Sequence, residues 1–246
     1  MKLLVIGDSC TDIFRYGEVS RIAPEAPVPI IKAHREISNP GMAGNVVSNL
    51  KALGVTIDFI TNPEKIRKIR YVCDRYNQLL LRVDKGDSCN RIKMEGVLVG
   101  VEWDTYDAVV ISDYCKGFLH RHDIQYISKK HPLTFLDTKK TLGTWAEDIK
   151  FIKINSLEYE HNKEVFKFNH PLLNKSIITK GSQGCLYQNK IYPTQEVSVK
   201  DVSGAGDTFL AGLVTEYVKT KDIKKAINFA QKCTTKVVQK LGVSTI

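Results

Sequence analysis

Short apolar runs alternate with amphipathic stretches along this chain, and the alternation limits the folds open to it. Five runs are predicted to be buried parallel strands: Leu3 to Ile6, Ala108 to Ser112, Thr134 to Leu136, Phe151 to Ile154 and Ser176 to Ile178. Apolar residues at helical spacing predict helices over 45–53, 206–219 and 223–240, the first closed by Gly54. Strands that alternate with helices predict an α/β fold, a doubly wound and mostly parallel sheet with helices on both faces.

Two segments interrupt this alternation. Residues 14–37 contain prolines at positions 24, 27 and 29, which exclude a regular helix and favour extended edge strands. Residues 69–84 are apolar around 79–81 and end in a turn over 84–87. We predict that these two segments form a small β lid on a single domain over residues 1–246. An irregular surface loop is the alternative.

The composition is that of a folded protein with an anionic partner. Hydrophobic residues make up 43% of the chain and charged residues 26%, and the formal net charge is +9. The sequence has no basic stripe interleaved with aromatic residues and no apolar segment of membrane-spanning length. We therefore expect neither nucleic acid nor a membrane as the partner, and a cytoplasmic location. The six cysteines lack the spacing of zinc ligands, so neither a metal nor a disulfide scaffold is expected.

The most informative segment is Asp201-Val202-Ser203-Gly204-Ala205-Gly206-Asp207-Thr208, which follows the β-prone residues 196–199 and opens a helical pattern. Two glycines that flank an alanine at a helix start allow backbone N–H groups to converge on an anion. An aspartate in the first helical turn could then remove the proton from a hydroxyl that accepts a phosphoryl group. Taken alone, the pattern also fits a tight turn in which Asp207 caps a helix.

This segment resembles the DTxGAGD signature of the ribokinase (PfkB) family of sugar kinases. The resemblance continues through residues 7–12, 16–29, 78–84, 112–117, 137–139 and 240–245, and is greatest to the kinases of D-glycero-D-manno-heptose 7-phosphate. It implies ATP-dependent phosphorylation of a sugar or sugar phosphate, with the anomeric hydroxyl of that heptose phosphate as the expected acceptor. Asp207 would be the catalytic base. The amides of Gly204, Ala205 and Gly206 would stabilise the transferring phosphoryl group.

The resemblance also implies the other site residues. Asp12, Gly41 and Asn45 would bind the sugar, and Lys68 and Arg70 would hold a phosphate already present on it. The nucleotide site would comprise Asn155, Glu158, Thr179, Lys180, Gly181, Asp201 and Ser203, with Asn155 and Glu158 organising Mg²⁺ through water. ATP and Mg²⁺ are the expected cofactors, while a monovalent cation and a homodimer through the lid are left open. From the residues alone, Asp12 equally fits a turn, Asn45 a helix cap, and Lys68 and Arg70 solvated lid charges.

Several positions depart from the family pattern. Met42 stands where a second glycine is usual, which leaves the identity of the sugar open. An α/β unit usual in the family is missing between residues 61 and 65, and the chain is shortened again between 160 and 176. Thr234 and Thr235 replace small residues near the adenine site. Two alternatives therefore remain: a kinase of another sugar or a nucleoside, and a sugar- or nucleotide-binding protein with weak catalysis.

Overall fold

The computed structural model describes residues 1–168 and 170–246 and contains two β-sheets. The strands are β1 (Lys2–Gly7), β2 (Ser9–Ile22), β3 (Pro29–Met42), β4 (Thr56–Ile60), β5 (Arg67–Cys73), β6 (Gln78–Lys85), β7 (Ala108–Asp113), β8 (Thr134–Thr138), β9 (Phe151–Asn155), β10 (Ser176–Thr179), β11 (Cys185–Tyr187) and β12 (Lys190–Tyr192). The helices are α1 (Ala43–Ala52), α2 (Met94–Val97), α3 (Arg121–Lys130), α4 (Ser156–His161), α5 (Lys163–Phe168), α6 (His170–Asn174), α7 (Ala205–Thr220) and α8 (Ile223–Val237).

The larger sheet has the strand order β12-β11-β10-β9-β8-β7-β1-β4. Six of its strands pair in parallel: β4, β1, β7, β8, β9 and β10. At one edge, β11 and β12 add an antiparallel hairpin. The five predicted strands all lie in this sheet, and the predicted α/β fold with a mostly parallel sheet is confirmed. Because parallel strands all point the same way, their carboxyl ends share one edge of the sheet, where ligands bind in such folds.

Successive residues of β1 divide the core into two layers. Leu3 and Val5 pack with apolar residues of α1, α7 and α8 on one face of the sheet. Leu4 and Ile6 pack with residues of α3, α5 and α6 on the other face. A strand buried on both faces must be apolar at every position, which is why β1 is a continuous apolar run instead of an alternating pattern.

The smaller sheet, called the lid sheet below, has the order β3-β2-β5-β6 and confirms the predicted second sheet. Its strands are longer than predicted, because only Asp8 separates β2 from β1 and because β3 continues up to α1. The prediction of strand through the prolines is wrong for two of the three: residues 23–28 connect β2 to β3, whereas Pro29 is the first residue of β3. Proline lacks the N–H that a ladder needs, so the prolines at 24 and 27 lie in the connection.

The remaining differences from prediction lie in connections. Residues 196–199 were predicted to favour β structure but are not in a strand. The amides of the next two residues, Lys200 and Asp201, donate to the carbonyl of Val238, the residue after α8. Residues 61–66 join β4 directly to β5, so no helix or strand intervenes there. Among the described residues, no helix is long and apolar enough to cross a bilayer.

Candidate active site

Asp207 lies in the first turn of α7 at the carboxyl edge of the larger sheet, and only 4% of its surface is exposed. Each oxygen of its carboxylate accepts one hydrogen bond. The Tyr114 hydroxyl donates to Oδ1 at 2.6 Å, and the Asn45 side-chain amide donates to Oδ2 at 2.9 Å. Three elements distant in sequence therefore converge on this carboxylate: the residue after β7, the start of α1 and the start of α7.

Both partners of Asp207 are themselves held in place. Asn49 donates to the side-chain oxygen of Asn45 at 3.1 Å, so the amide nitrogen of Asn45 is the group that faces Asp207. The backbone amide of Tyr114 donates to the buried carboxylate of Asp8 at 2.7 Å. The orientation of the Asp207 carboxylate is therefore fixed by a second layer of hydrogen bonds.

The surroundings of Asp207 disfavour its ionised form. Burial raises the pKa of its carboxyl from 3.8 to about 6, although the hydrogen bonds from Tyr114 and Asn45 act in the opposite direction. A carboxyl with a pKa near 6 is ionised at neutral pH and is a stronger base than an exposed aspartate. General bases in enzymes are commonly tuned in this direction.

The turn before Asp207 presents free backbone amides. Gly204 has φ of 79°, a left-handed conformation that favours glycine. The Ala205 amide donates to the Val202 carbonyl, whereas the amides of Gly204 and Gly206 have no acceptor among the described residues. These two amides lie at the positive end of the helix dipole of α7, which suits an anion. Of the three predicted amides, the structure thus leaves two available.

A buried ion pair lies beneath this turn. Lys153 Nζ is 2.6 Å from Asp137 Oδ2, with side chains 4% and 3% exposed. A Cβ placed on Gly206 would lie 2.8 Å from the same Nζ, so the ammonium group rests directly against the turn. Lysine is rarely buried without a partner, and here Asp137 balances its charge while the ammonium group contacts the turn.

Two cavities flank the turn. The first, about 130 Å³, is lined by Asp12, Met42, Asn45, Lys68, Arg70, Tyr114, Ser203, Gly204, Asp207 and Val243. The second, about 120 Å³, is lined by Thr179, Gly181, Gly184, Thr194, Ala205, Gly206, Phe209, Gln231 and Thr234. Residues 204–207 form a wall common to both, so a molecule in either cavity would contact the turn.

The first cavity brings together four of the five residues predicted to bind the sugar or its phosphate. Arg70 forms an ion pair with Asp12, whereas Lys68 has no carboxylate partner among the described residues. Gly41 lies behind this cavity: a Cβ there would overlap Asp12 Oδ2 and lie 2.6 Å from Cys10 Sγ. Met42 lines the cavity with φ of 58°, where glycine would be unstrained.

Predicted nucleotide residues divide between the two cavities. Thr179 and Gly181 line the second cavity and Lys180 lies between them in sequence, but Ser203 lines the first. Asp201 lines neither: it accepts hydrogen bonds from the Ser203 amide at 2.8 Å and the Gly242 amide at 3.0 Å. Its carboxylate therefore holds the loop that leads into the turn.

Asn155 and Glu158 form a capping box at the start of α4. Asn155 accepts from the Glu158 amide and donates to Glu158 Oε1, each at 2.9 Å. Lys139 forms an ion pair with the same carboxylate. No group of three or more His, Cys, Asp or Glu side chains that could hold a metal directly occurs in residues 1–168 and 170–246. The two side chains therefore bond to each other and to Lys139, and a role of the pair in holding Mg²⁺ through water stays a prediction.

The sequence interpretation gave no role to Tyr114, Asn49, Lys153 or Lys139. A signal for Lys153 was present, because a lysine inside a buried apolar strand needs a partner. No comparable signal existed for Asn49 or Tyr114, since their contacts with residues 45 and 207 depend on the tertiary fold.

Comparisons with known proteins agree with this geometry. Residues 137–246 match the family described as pfkB family carbohydrate kinase. The chain is 31% identical over 296 positions to the bifunctional protein HldE of Sulfurimonas denitrificans, covering 100% of this chain and 62% of that protein. The chain therefore spans less than two thirds of the length of the curated relatives it matches. The match is longer than the 246 residues of the chain, so that relative carries additional segments within it.

Solved structures show the same fold at low identity. Arabidopsis thaliana ribokinase, complexed with ribose and ATP, has a TM-score of 0.69 and 16% identity, with 98% of this chain and 93% of that chain covered. Phosphofructokinase-2 of Escherichia coli, in complex with potassium, has a TM-score of 0.71 and 12% identity, covering 98% and 93%. These likenesses show that the chain has the ribokinase fold, and its residues 137–246 match the pfkB family of carbohydrate kinases.

Proposed function

We propose that this protein uses ATP to phosphorylate a sugar phosphate, with the anomeric hydroxyl of D-glycero-D-manno-heptose 7-phosphate as its preferred acceptor. The observation that carries the proposal is the position of Asp207, a buried carboxylate in the wall between two cavities, next to free backbone amides. A kinase needs the acceptor and the phosphoryl donor to meet at one point, because the attacking and leaving oxygens lie in line on opposite sides of the transferring phosphoryl group. The alignment with bifunctional HldE proteins supports the choice of the heptose phosphate.

On the sugar side, Asp207 would take the proton of the attacking hydroxyl. Its raised pKa makes it a competent base near neutral pH. Asn45 and Tyr114 each donate to one oxygen of the carboxylate, and all three residues line the first cavity. Asp12 would accept hydrogen bonds from sugar hydroxyls, which suits a carboxylate that lines the same cavity.

On the nucleotide side, the chain supplies positive potential for the terminal phosphate. The Gly204 and Gly206 amides, the N-terminus of α7 and the ammonium group of Lys153 meet at the turn. Asn155 and Glu158 would hold Mg²⁺ through water, and the ion would neutralise phosphate charge. Thr179, Lys180 and Gly181 would contact the nucleotide beside the second cavity. A requirement for a monovalent cation stays a prediction.

The charges of the lid sheet support a phosphorylated acceptor. Arg70 is already paired with Asp12, so its positive charge is largely balanced. Lys68 lines the same cavity and forms no ion pair among the described residues, although it faces Asp84 across the strands, which makes it the better candidate for the substrate phosphate. An acceptor that carries its own phosphate would supply the missing negative charge.

A homodimer through the lid sheet is part of the proposal. The β5–β6 hairpin exposes large apolar side chains, with Tyr76, Leu79 and Leu81 exposed by 68%, 53% and 56%. Apolar side chains gathered on one hairpin favour contact with another protein surface.

A second candidate is a kinase of a smaller sugar or a nucleoside. It is favoured by Met42, whose side chain lines the first cavity at a position where glycine would leave more room. The choice between the two candidates depends on the acceptor and leaves the role of Asp207 unchanged.

The test is a panel of acceptors assayed for ADP release with and without Mg²⁺. The panel comprises D-glycero-D-manno-heptose 7-phosphate, fructose 6-phosphate, ribose and adenosine, and the heptose phosphate should give the highest kcat/KM. Asp207→Asn should lower kcat by about 10²- to 10⁴-fold, since general base catalysis contributes that much, while sugar binding measured by calorimetry persists. Near-normal turnover of Asp207→Asn, or no turnover of any acceptor, would contradict the proposal.

A further inference from the structure

Tyr114 links the candidate base to both ligand sites. Its hydroxyl donates to Asp207 Oδ1 at 2.6 Å, and its backbone amide is anchored on Asp8. Lys68 Nζ, from the lid sheet, lies 5.7 Å from the centre of its ring. Lys139 Nζ, which pairs with Glu158, lies 5.3 Å from the same ring. The phenol is therefore held between the sugar side and the nucleotide side of the site.

The phenol of Tyr114 can act only as a hydrogen-bond donor to Asp207 at neutral pH. Burial, and then the negative charge of Asp207, raise the pKa of this hydroxyl well above its ordinary value of 10. It therefore keeps its proton while Asp207 is ionised. An ionised carboxylate gains more from such a donor than a protonated one, because hydrogen bonds to a charged acceptor are the stronger ones.

We propose that Tyr114 is a positioning residue that keeps the Asp207 carboxylate ionised and oriented toward the acceptor hydroxyl. This inference rests on the proposed function. During the reaction the acceptor proton moves to Asp207, the oxygen of the acceptor bonds to phosphorus, and Tyr114 retains its own proton. Without the phenol hydroxyl, one carboxylate oxygen would lose its donor inside a buried site, and protonation of Asp207 would become easier.

Other ionisable groups also face Asp207 or its partner Tyr114, and none of them is altered in the Tyr114 variants. Those on or next to the larger sheet are Asp137, Lys139, Lys153 and Glu158. Those on the lid sheet are Cys10, Asp12, Lys68 and Arg70. A change in the pH profile of a Tyr114 variant therefore reports the loss of the phenol hydroxyl.

The first experiment compares Tyr114→Phe with the wild type in kcat measured from pH 5 to pH 9. The acidic limb of the pH profile of kcat should move to higher pH by about 1 to 2 units. A hydrogen bond to a charged group contributes roughly 1.5–3 kcal/mol, and one pKa unit corresponds to about 1.4 kcal/mol. At pH 6.5 this corresponds to a loss of about 3- to 25-fold in kcat, which should shrink as the pH rises. The KM values for both substrates should stay within about twofold, since the hydroxyl acts on the base and not on substrate binding.

The matched control is Tyr106→Phe. The Tyr106 hydroxyl also donates to an aspartate, Asp58, at 2.7 Å, but this pair lies outside both cavities. Its pH profile should superimpose on that of the wild type. If Tyr114→Phe lost the same fraction of kcat at every pH, the residue would have a packing role only and the inference would be overturned.

A second experiment needs no turnover and separates this inference from the proposed function. Thermal unfolding of Tyr114→Phe should show a destabilisation that grows from pH 5 to pH 8, because the variant leaves a costlier charge at Asp207. In an Asp207→Asn background, the effect of Tyr114→Phe should no longer depend on pH. If this coupling holds but no acceptor is phosphorylated, the proposed kinase function fails while the Tyr114–Asp207 link stands.

Should Tyr114→Phe fail to fold, 3-fluorotyrosine at position 114 provides an isosteric probe. The fluorinated phenol is a stronger hydrogen-bond donor. The acidic limb in the pH profile of kcat, or of stability, should therefore move to lower pH, opposite to the shift expected for Tyr114→Phe. An unchanged profile with this probe would overturn the inference.

Discussion

Replacing Asp207 by asparagine should raise the stability of the protein at neutral pH. The folded-state pKa of Asp207, about 6, lies above the ordinary value of 3.8. The native state therefore holds this proton more tightly than the unfolded state does. As the pH rises from below 4 to above 6, the wild type must ionise a buried carboxyl and loses stability, whereas Asp207→Asn has no group to ionise.

The size of the effect follows from two opposing contributions. Ionising Asp207 in the folded protein costs about 3 kcal/mol at pH 8, from the difference between the two pKa values. An asparagine can accept from only one of its two donors, Tyr114 and Asn45, and this lost hydrogen bond costs about 1 kcal/mol. The net gain is about 2 kcal/mol at pH 8, or roughly 4 to 8 °C in Tm for a chain of this length. At pH 5 the wild type has recovered about 1.4 kcal/mol, so the gain falls to roughly 1 to 2 °C.

The measurement is thermal unfolding of wild type and Asp207→Asn at pH 5, 6, 7 and 8, without ligands. Asp123→Asn is the control, because the Asp123 side chain is 1% exposed and pairs with Arg91. Burial opposes its ionisation, but hydrogen bonds from Arg91 and the His120 amide hold the pKa of Asp123 below its ordinary value. Asp123→Asn should therefore destabilise the protein at neutral pH. An Asp207→Asn variant less stable than the wild type at pH 8, or a gain independent of pH, would refute the reasoning.

Two further variants test the sugar side of the site. Gly41→Ala should raise the KM for the sugar with little change in the KM for ATP, because the added Cβ displaces Asp12; Gly44→Ala, whose Cβ would meet only Pro40 at 3.1 Å and Ser9 at 3.9 Å, is the tolerated control. Equal effects of the two alanines would contradict this. Lys68→Met should raise the KM of a phosphorylated acceptor about 10-fold or more and leave that of an unphosphorylated sugar nearly unchanged, since a charged hydrogen bond contributes roughly 1.5–3 kcal/mol. Lys85→Met, on an exposed part of β6, should change neither value.

Local patterns in the sequence were sufficient to predict the main sheet. Residues 3–6 and 108–111 are apolar at every position, as expected for strands buried on both faces. The prolines at 24 and 27 indicated a break in the helical pattern, but not which residues pair. Pairing in the lid sheet depends on contacts between residues far apart in sequence, such as Asp12 opposite Lys68.

The candidate site was predictable where one short segment carries it and not where it depends on tertiary contacts. Residues 204–207 are contiguous, so their glycines and aspartate indicated a turn, an anion and a base together. The partnership of Arg70 with Asp12 could not be predicted from the sequence, because each residue fits a ligand of its own: sugar hydroxyls for Asp12 and a phosphate for Arg70. Likewise, no local pattern shows that Asp201 uses its carboxylate to hold a loop.

The connections between the two sheets lie close together. Asp8 alone joins β1 to β2, and its carbonyl accepts from the Ala43 amide at 2.9 Å, where β3 passes into α1. The Ser9 amide donates to Asn62 at 2.7 Å, which brings the third crossing of the chain to the same place, and the fourth crossing, after β6, also passes there, with Cys89 Sγ 3.8 Å from Asp8 Oδ1. Any rotation of the lid sheet relative to the larger sheet would therefore take place about this small group of connecting residues. Such a swing would carry Asp12 and Arg70 as a unit while Asp207 stayed fixed, so under the proposed function the groups that bind the sugar would move separately from the group that takes its proton.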